Sequence, residues 1–182
     1  MNTWLGPALI AAVISSLVTA VGWLVNYRTS LGLEKERRLE KVRDFQIALR
    51  AEIRSELHHL NEENLSAYLK AVEDKYAQSK AYSAFTPRLA RHAVYESLIG
   101  QIHILPESVI DPIILYARQR ELLDQFAADM RSERFERLGQ DRQLEMCRDY
   151  IAASRYLRQL AQDALSSVDA SLDQKGGLNR RA

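Results

Sequence analysis

The sequence predicts an all-α protein with an N-terminal transmembrane helix, a long stalk helix and an antiparallel helical bundle. No charged residue lies between Leu5 and Val25. Gly100 is the sole glycine between Gly32 and Gly139, which leaves few turns for a sheet. Apolar residues recur at helical spacings through most of the remaining chain. We expect an anchor at 1–28, a charged juxtamembrane stalk at 29–45, a bundle at 46–172 and a disordered tail at 173–182.

The uncharged run has the length and the edges of a membrane span. As a helix it covers about 32 Å, close to the roughly 30 Å hydrocarbon core of a bilayer. Trp4 lies at one end, and Trp23, Tyr27 and Arg28 at the other, where membrane interfaces favour such side chains. A cleaved secretory signal is the alternative, but no Lys or Arg precedes the apolar run.

The distribution of basic residues predicts the orientation of this span. The N-terminal side has no Lys or Arg, whereas the other flank carries Arg28, Lys35, Arg37, Arg38, Lys41 and Arg43. Because basic flanks stay in the cytoplasm, we expect a single-pass inner-membrane protein with its N-terminus outside and its C-terminal domain cytoplasmic. The lipid bilayer is thus one expected partner. Acidic residues interrupt the basic cluster and weaken any specific lipid recognition.

A strip of small side chains follows one face of the predicted span: Ala8, Ala12, Ser16 and Ala20. Small residues at every fourth position let two membrane helices approach closely. We therefore hypothesise a homodimer through this face, although alanine and serine are also common in membrane helices without this role.

The sequence after the predicted span indicates several amphipathic helices. Helical character is expected from residue 31 to about residue 82. Residues 31–60 carry the apolar stripe Leu39, Val42, Leu49, Ile53, Leu57 and Leu60. Thr86 and Pro87 predict the start of the next helix, and Asp111 and Pro112 that of another, with some helical structure also compatible with the residues before Pro112. Gly139 separates the latter from a last helix with the stripe Leu144, Cys147, Ile151, Leu157, Leu160, Leu165 and Val168.

Composition and motifs exclude several function classes. The chain has 25 basic and 24 acidic residues, without the excess that a nucleic-acid partner would need. One cysteine cannot form an internal disulfide. Phosphate-binding glycine loops, paired CxxC ligands and the HExxH pattern are absent from the sequence, so we expect no cofactor and no metal.

Three groups of residues have side chains that could support catalysis or metal binding. Glu56 and His59 have the Glu-x-x-His spacing of di-iron helices, but no second copy follows. His92 and Glu96 share a helical spacing beside Tyr95 and form a candidate polar patch, for which an interhelical hydrogen bond or a partly exposed polar face is the simpler use. Cys147 falls on an apolar stripe and reads as a core residue. We therefore expect no catalytic residue and no enzyme.

One segment has a sequence pattern similar to that of a known group of proteins. VYESLIGQIHILPESVIDPIILYARQRELL, residues 94–123, has a tyrosine, a Leu-Pro turn and a further apolar helix with tyrosine. This pattern resembles uncharacterised bacterial inner-membrane proteins with one N-terminal anchor and a helical cytoplasmic domain. Pro112 departs from it. The resemblance implies a bacterial inner-membrane setting and no activity.

Three function classes remain open. The first is a membrane-anchored interaction or scaffold protein, possessing an unknown cytoplasmic protein partner. The second is a phage-type lysis component with a periplasmic helical domain, which requires the opposite orientation. The third is a membrane-associated enzyme that uses the His92 region. The absence of a chemical motif favours the first class.

Overall fold

Helices form most of the part of the chain that the structure describes. The computed structural model describes residues 5–79, 82–86 and 88–178, and these ranges contain no strand. Side chains are described in all of them except 5–14 and 175–178. The predicted all-α class is confirmed. The chain divides into two compact units, Met1–Arg43 and Asp44–Ala182.

Helix α1, Leu5–His59, contains the predicted membrane segment. Within the described residues, no helix combines the length and the apolar character needed to cross a membrane. The predicted span begins at residues 5–14, whose side chains are outside the described set, as is all of Trp4. The side chains of Ala8 and Ala12 are likewise outside it, whereas Ser16 and Ala20 are exposed. The transmembrane part of the fold class stays a prediction.

The second unit begins within α1 at Asp44 and includes α2, Glu62–Gln78. Helix α1 ends at His59 because Asn61 starts a new helix: its side chain accepts a hydrogen bond from the Glu63 N–H at 2.9 Å. The expected continuous helix through this point is thus broken into two. Val42, Leu49, Ile53 and Leu60 of the predicted stripe are buried, while Leu39 is exposed.

The middle of the unit differs from the sequence prediction. Thr86 is buried in non-helical chain, and the next helix, α3, spans only Ala93–Leu98, so the predicted start at Thr86 and Pro87 is wrong. Pro87 itself lies outside the described residues. A 3-10 helix, Ile99–Ile104, follows α3.

Helix α4, Glu107–Asp129, begins earlier than the predicted start at Asp111 and Pro112. Pro106 is its N-cap residue and Pro112 lies inside the helix. The Pro112 nitrogen cannot donate to the Ser108 carbonyl, which costs the second turn one hydrogen bond. Ser108 is exposed, so water can reach this end of the helix. Burial of Val109 and Ile113 stabilises this turn.

The chain closes with the short helix α5, Glu133–Glu136, and the long helix α6, Gln140–Leu178, on either side of Gly139. Helix α6 packs against α2 and α4. Ion pairs between α2 and α6 join Glu62 to Arg155 and Glu73 to Arg148, an order that requires the two helices to be antiparallel.

The predicted stripe of α6 is largely correct. Cys147, Ile151, Leu157 and Val168 are buried, and the three predicted leucines on this stripe are half-buried. Ala161 and Ala164 are fully buried as well, which lets neighbouring helices approach this part of α6. The predicted tail at 173–182 begins inside α6, and residues 179–182 lie outside the described set.

Candidate functional site

A carboxylate on α1 fixes the start of α3. The Glu52 side chain accepts hydrogen bonds from the backbone N–H groups of Val94, at 2.9 Å, and Tyr95, at 3.0 Å. The N-cap residue His92 makes no side-chain capping bond of its own. Glu52 therefore takes over the role of a cap from another helix, and its negative charge lies where helix N-termini favour anions.

His92 lies beside this cap and is buried. Its Nε2 atom is 3.1 Å from Glu52 Oε2 and 3.4 Å from the Tyr116 hydroxyl. The ring stacks on Tyr95 with 5.2 Å between centroids and meets the edge of Tyr116 at 5.3 Å. Burial lowers the pKa of His92, although the Glu52 carboxylate acts in the opposite direction. A neutral ring with its proton on Nε2 fits these contacts, because a carboxylate can only accept.

A buried ion pair lies one turn further along α1. Arg120 Nε donates to Glu56 Oε2 at 3.0 Å, and both side chains are about nine-tenths buried. Arg120 also donates to the backbone carbonyl of Ala90. Glu52 and Glu56 therefore hold the non-helical segment 88–92 against α1, one directly and one through Arg120. Burial raises the pKa of the neighbouring Tyr116 hydroxyl well above its usual range, so this hydroxyl stays protonated.

A cleft of about 780 Å³ lies next to this network. Its apolar lining comes from α1, α2, α6 and the segment leading into α3: Ala48, Ala51, Leu60, Leu65, Tyr68, Leu89, Ala90, Val94, Tyr150 and Ile151. The polar residues of the lining are Glu52, Ser55, Glu56, His59, Asn64, Arg88, Arg91, His92 and Ser154. The volume falls in the range of about 300–1,000 Å³ that ligand sites typically have. The polar network thus forms part of the wall of an apolar, concave site.

A second, smaller pocket of about 410 Å³ is lined by four arginines: Arg88, Arg91, Arg120 and Arg131. Two carboxylates, Glu96 and Asp124, also line it. The residues from Arg88 to His92 line both this pocket and the apolar cleft, so the two concavities share a wall.

The predicted polar patch is only partly assembled. His92 and Tyr95 are in contact, but Glu96 bonds to Arg91 on the exposed surface, at 2.8 Å between Oε2 and Nε. His92 precedes the first residue of α3, so the four-residue spacing does not place it on a helical face with Glu96. Glu52 and Arg120 were not predicted from the sequence to belong to this site. The one available signal was a pair of carboxylates, Glu52 and Glu56, beside the apolar stripe of α1.

The other two groups with side chains that could support catalysis or metal binding are accounted for by packing and exposure. His58 and His59 are exposed, and Glu56 is bonded to Arg120. Among the described residues, no three His, Cys, Asp or Glu side chains are grouped as a metal site. Cys147 is fully buried, and burial raises the pKa of its thiol to about 11. The thiol is therefore protonated near neutral pH and is a poor nucleophile.

The chain matches no known family model, no curated protein and no solved structure. The resemblance of residues 94–123 to bacterial inner-membrane proteins accordingly stays a prediction. The site itself, an apolar cleft with a buried polar wall, has the character of a binding site.

Proposed function

We propose that this protein is a single-pass, membrane-anchored helical interaction protein that binds its partner in the cleft beside Glu52 and His92. The cleft carries the proposal. It is concave and largely apolar, and the buried ion pair of Glu56 with Arg120 and the hydrogen bonds accepted by Glu52 fix one wall before any ligand arrives. A preformed wall lowers the ordering cost of binding.

The exposed side chains of α1 support the anchor. Leu17, Val18, Val21, Leu24 and Val25 are all about half or more exposed and point in several directions around the helix. A helix that is apolar on all sides needs lipid or protein around it. The Thr19 hydroxyl donates to the Ser15 carbonyl at 2.8 Å, so this polar group is already satisfied within the helix.

The end of the apolar run has the features of a membrane interface. Trp23 and Tyr27 stack with 5.6 Å between ring centroids, one residue before Arg28. Aromatic rings of this kind favour the headgroup layer, and the basic flank after them favours the cytoplasm. The proposed location is the inner membrane, with the helical domain in the cytoplasm. A homodimer through Ala8, Ala12, Ser16 and Ala20 is part of the same proposal.

Photo-crosslinking from inside the cleft tests the proposed function. Ala51 lines the cleft and is exposed, so it is replaced in the full chain by a photoreactive amino acid with a slender aliphatic diazirine side chain, which leaves room for a ligand in the cleft. Ala128, exposed on α4 and outside the lining of the cleft, is the matched control. After irradiation of intact cells, the membrane fraction is washed with carbonate and the intact mass of the protein is measured.

We expect the Ala51 position to give a discrete adduct of defined mass in the carbonate-resistant membrane fraction and the Ala128 position to give none. The absence of an adduct at Ala51, or the same adducts at both positions, would contradict binding in the cleft. Release of the protein by carbonate would contradict the anchor.

A further inference from the structure

The wall shared by the two concavities has different chemistry on its two sides. The residues Arg88–His92 face the apolar cleft of about 780 Å³ and also the arginine-lined pocket of about 410 Å³. A ligand in the cleft therefore reaches apolar side chains along its length and arginines at the edge formed by Arg88 and Arg91. This combination matches a molecule with an apolar chain and a negatively charged end.

Most of the arginines around this edge already have partners. Arg91 pairs with Glu96, Arg120 with Glu56 and the Ala90 carbonyl, and Arg131 donates to the Thr86 carbonyl. Arg88 is exposed and forms no ion pair with any residue that the structure describes. It is therefore the cation at this edge that is open to an anion from outside the chain.

The acidic side chains of the cleft do not compete for this role. Glu52 accepts from two backbone N–H groups and lies against His92, and Glu56 accepts from Arg120. Their charges are held by internal donors, so a cationic ligand would have to displace those donors. At the edge of the cleft, the charge without an ion-pair partner among the described residues is therefore that of Arg88, whereas Asp124 lines only the smaller pocket.

We propose that the cleft binds an anionic amphiphile, with its hydrocarbon chain along Ala51 and Leu65 and its carboxylate or phosphate on Arg88. The proposal rests on the proposed function, because it names the ligand class of the same cleft. A free fatty acid and an anionic phospholipid share this chemistry. Arginine suits both heads, since its guanidinium presents parallel N–H donors to two oxygens.

The test uses the purified full chain held in an amphipathic polymer and four probes with the same chain length. Dodecanoate and dodecyl phosphate are anionic, dodecanol is neutral and dodecylamine is cationic. Calorimetric titrations, corrected with polymer alone, give the affinities. We expect saturable binding of the two anionic probes and at least about tenfold weaker binding of the other two. The tighter of the two anionic probes shows whether the site prefers a carboxylate, as in a fatty acid, or a phosphate, as in a phospholipid.

Matched variants separate the two ends of the site. Arg88→Glu should weaken both anionic probes about tenfold and leave dodecanol unchanged, whereas Arg134→Glu, an exposed arginine lining neither concavity, should change nothing. Ala51→Trp should weaken all probes that bind, and Ala128→Trp none. Arg88→Gln replaces Arg88→Glu if circular dichroism shows a loss of helix.

Each contrary result has a distinct meaning. The preference for an anionic head group would be contradicted by equal binding of dodecanol and dodecanoate, by tighter binding of dodecylamine, or by no effect of Arg88→Glu. The cleft would still be a binding site in each of these cases. If none of the four probes binds, or if Ala51→Trp does not weaken their binding, the proposal that the cleft binds an amphiphile is contradicted. The adduct formed from position 51 in cells reports on the proposed function independently of these titrations.

Discussion

Glu52 contacts three residues at the start of α3. One carboxylate accepts from the N–H groups of Val94 and Tyr95 and lies 3.1 Å from His92 Nε2. It therefore joins α1, the start of α3 and the wall of the cleft. Hydrogen bonds to a charged acceptor contribute about 1.5–3 kcal/mol, more than those between neutral groups.

Glu52→Gln should lower the free energy of unfolding by about 2–3 kcal/mol. The amide has one acceptor oxygen and turns an NH₂ group toward donors, so at least one donor loses its partner. Urea unfolding followed by circular dichroism measures the change. Glu121→Gln, at an exposed position of α4, is the control and should stay within about 0.5 kcal/mol of the parent. Equal effects of both variants would mean that the cap contributes nothing specific.

His92 should make stability depend on pH. Burial lowers its pKa in the folded state below the value of 6.5 that applies to the unfolded chain. Below pH 6.5 the unfolded chain therefore binds more protons than the folded one, and stability is lost as the pH falls. Above pH 6.5 this contribution is fully present.

The measurement is the thermal midpoint of the parent and of His92→Gln between pH 7.5 and pH 5. The parent should lose stability over this range, and the variant should lose less of it. A parent whose midpoint rises on acidification would show that the Glu52 carboxylate outweighs burial and raises the pKa of His92.

At the scale of helices, one polar contact between α1 and α6 is incompletely satisfied. Gln46 is fully buried, and its Nε2 donates to the Ser171 hydroxyl at 2.8 Å. Its Oε1 atom has no hydrogen-bond partner among the described residues. A buried polar atom without a partner costs about 1–3 kcal/mol, so this contact stabilises the packing of α1 on α6 less than an apolar pair would.

Replacing both Gln46 and Ser171 by apolar residues should therefore leave the free energy of unfolding unchanged or raise it. The double variant Gln46→Leu with Ser171→Ala should raise the free energy of unfolding by about 1 kcal/mol, because it removes the orphaned oxygen together with its neighbour. Ser171→Ala alone should lower it by about 1–2 kcal/mol, since the Gln46 amide then loses its only acceptor. Chemical unfolding of the single and double variants gives the coupling. A double variant less stable than Ser171→Ala would contradict this account.

Some of the helices and their boundaries could be predicted from the sequence, and others could not. The long helices, the break at Gly139 and most of the α6 stripe follow from local signals, because spacing and glycine act within a few residues. The start of α3 does not, since its cap is Glu52, which is distant in sequence. Helix α4 begins at Glu107 although Pro112 follows inside it, because burial of Val109 and Ile113 outweighs one missing bond.

At the scale of the whole molecule, most residues of the candidate site could not be predicted from the sequence. His92 was identified from its neighbours, but its partners Glu52 and Tyr116 come from two other helices. No spacing along the chain encodes such a meeting, since it depends on how the helices pack. The cleft likewise exists only after α1, α2 and α6 have assembled.

The strip Ala8, Ala12, Ser16 and Ala20 predicts self-association of the whole molecule in the membrane. Ala12→Ile with Ser16→Ile should weaken it at least about tenfold, because the larger side chains keep the two backbones apart. Energy transfer between labelled chains in vesicles measures the association. Val18→Leu, away from the strip, is the control. Unchanged association in the double variant would contradict dimerisation through this face.

The orientation of the helical domain tests the central claim, a membrane anchor carrying a cytoplasmic binding domain. The native Cys147 thiol is buried and its pKa is raised to about 11, so it should not react with a maleimide in the folded protein. Gln159 is exposed on α6, and Gln159→Cys therefore adds one accessible thiol. The parent chain and a denatured sample are the controls.

The measurement is labelling of Gln159→Cys by a membrane-impermeant maleimide in intact cells and in inside-out inner-membrane vesicles. We predict labelling in the vesicles and none in intact cells, with the parent unlabelled until it is denatured. Labelling in intact cells would contradict the account, because the helical domain would then lie outside the cytoplasm, as a lysis component requires.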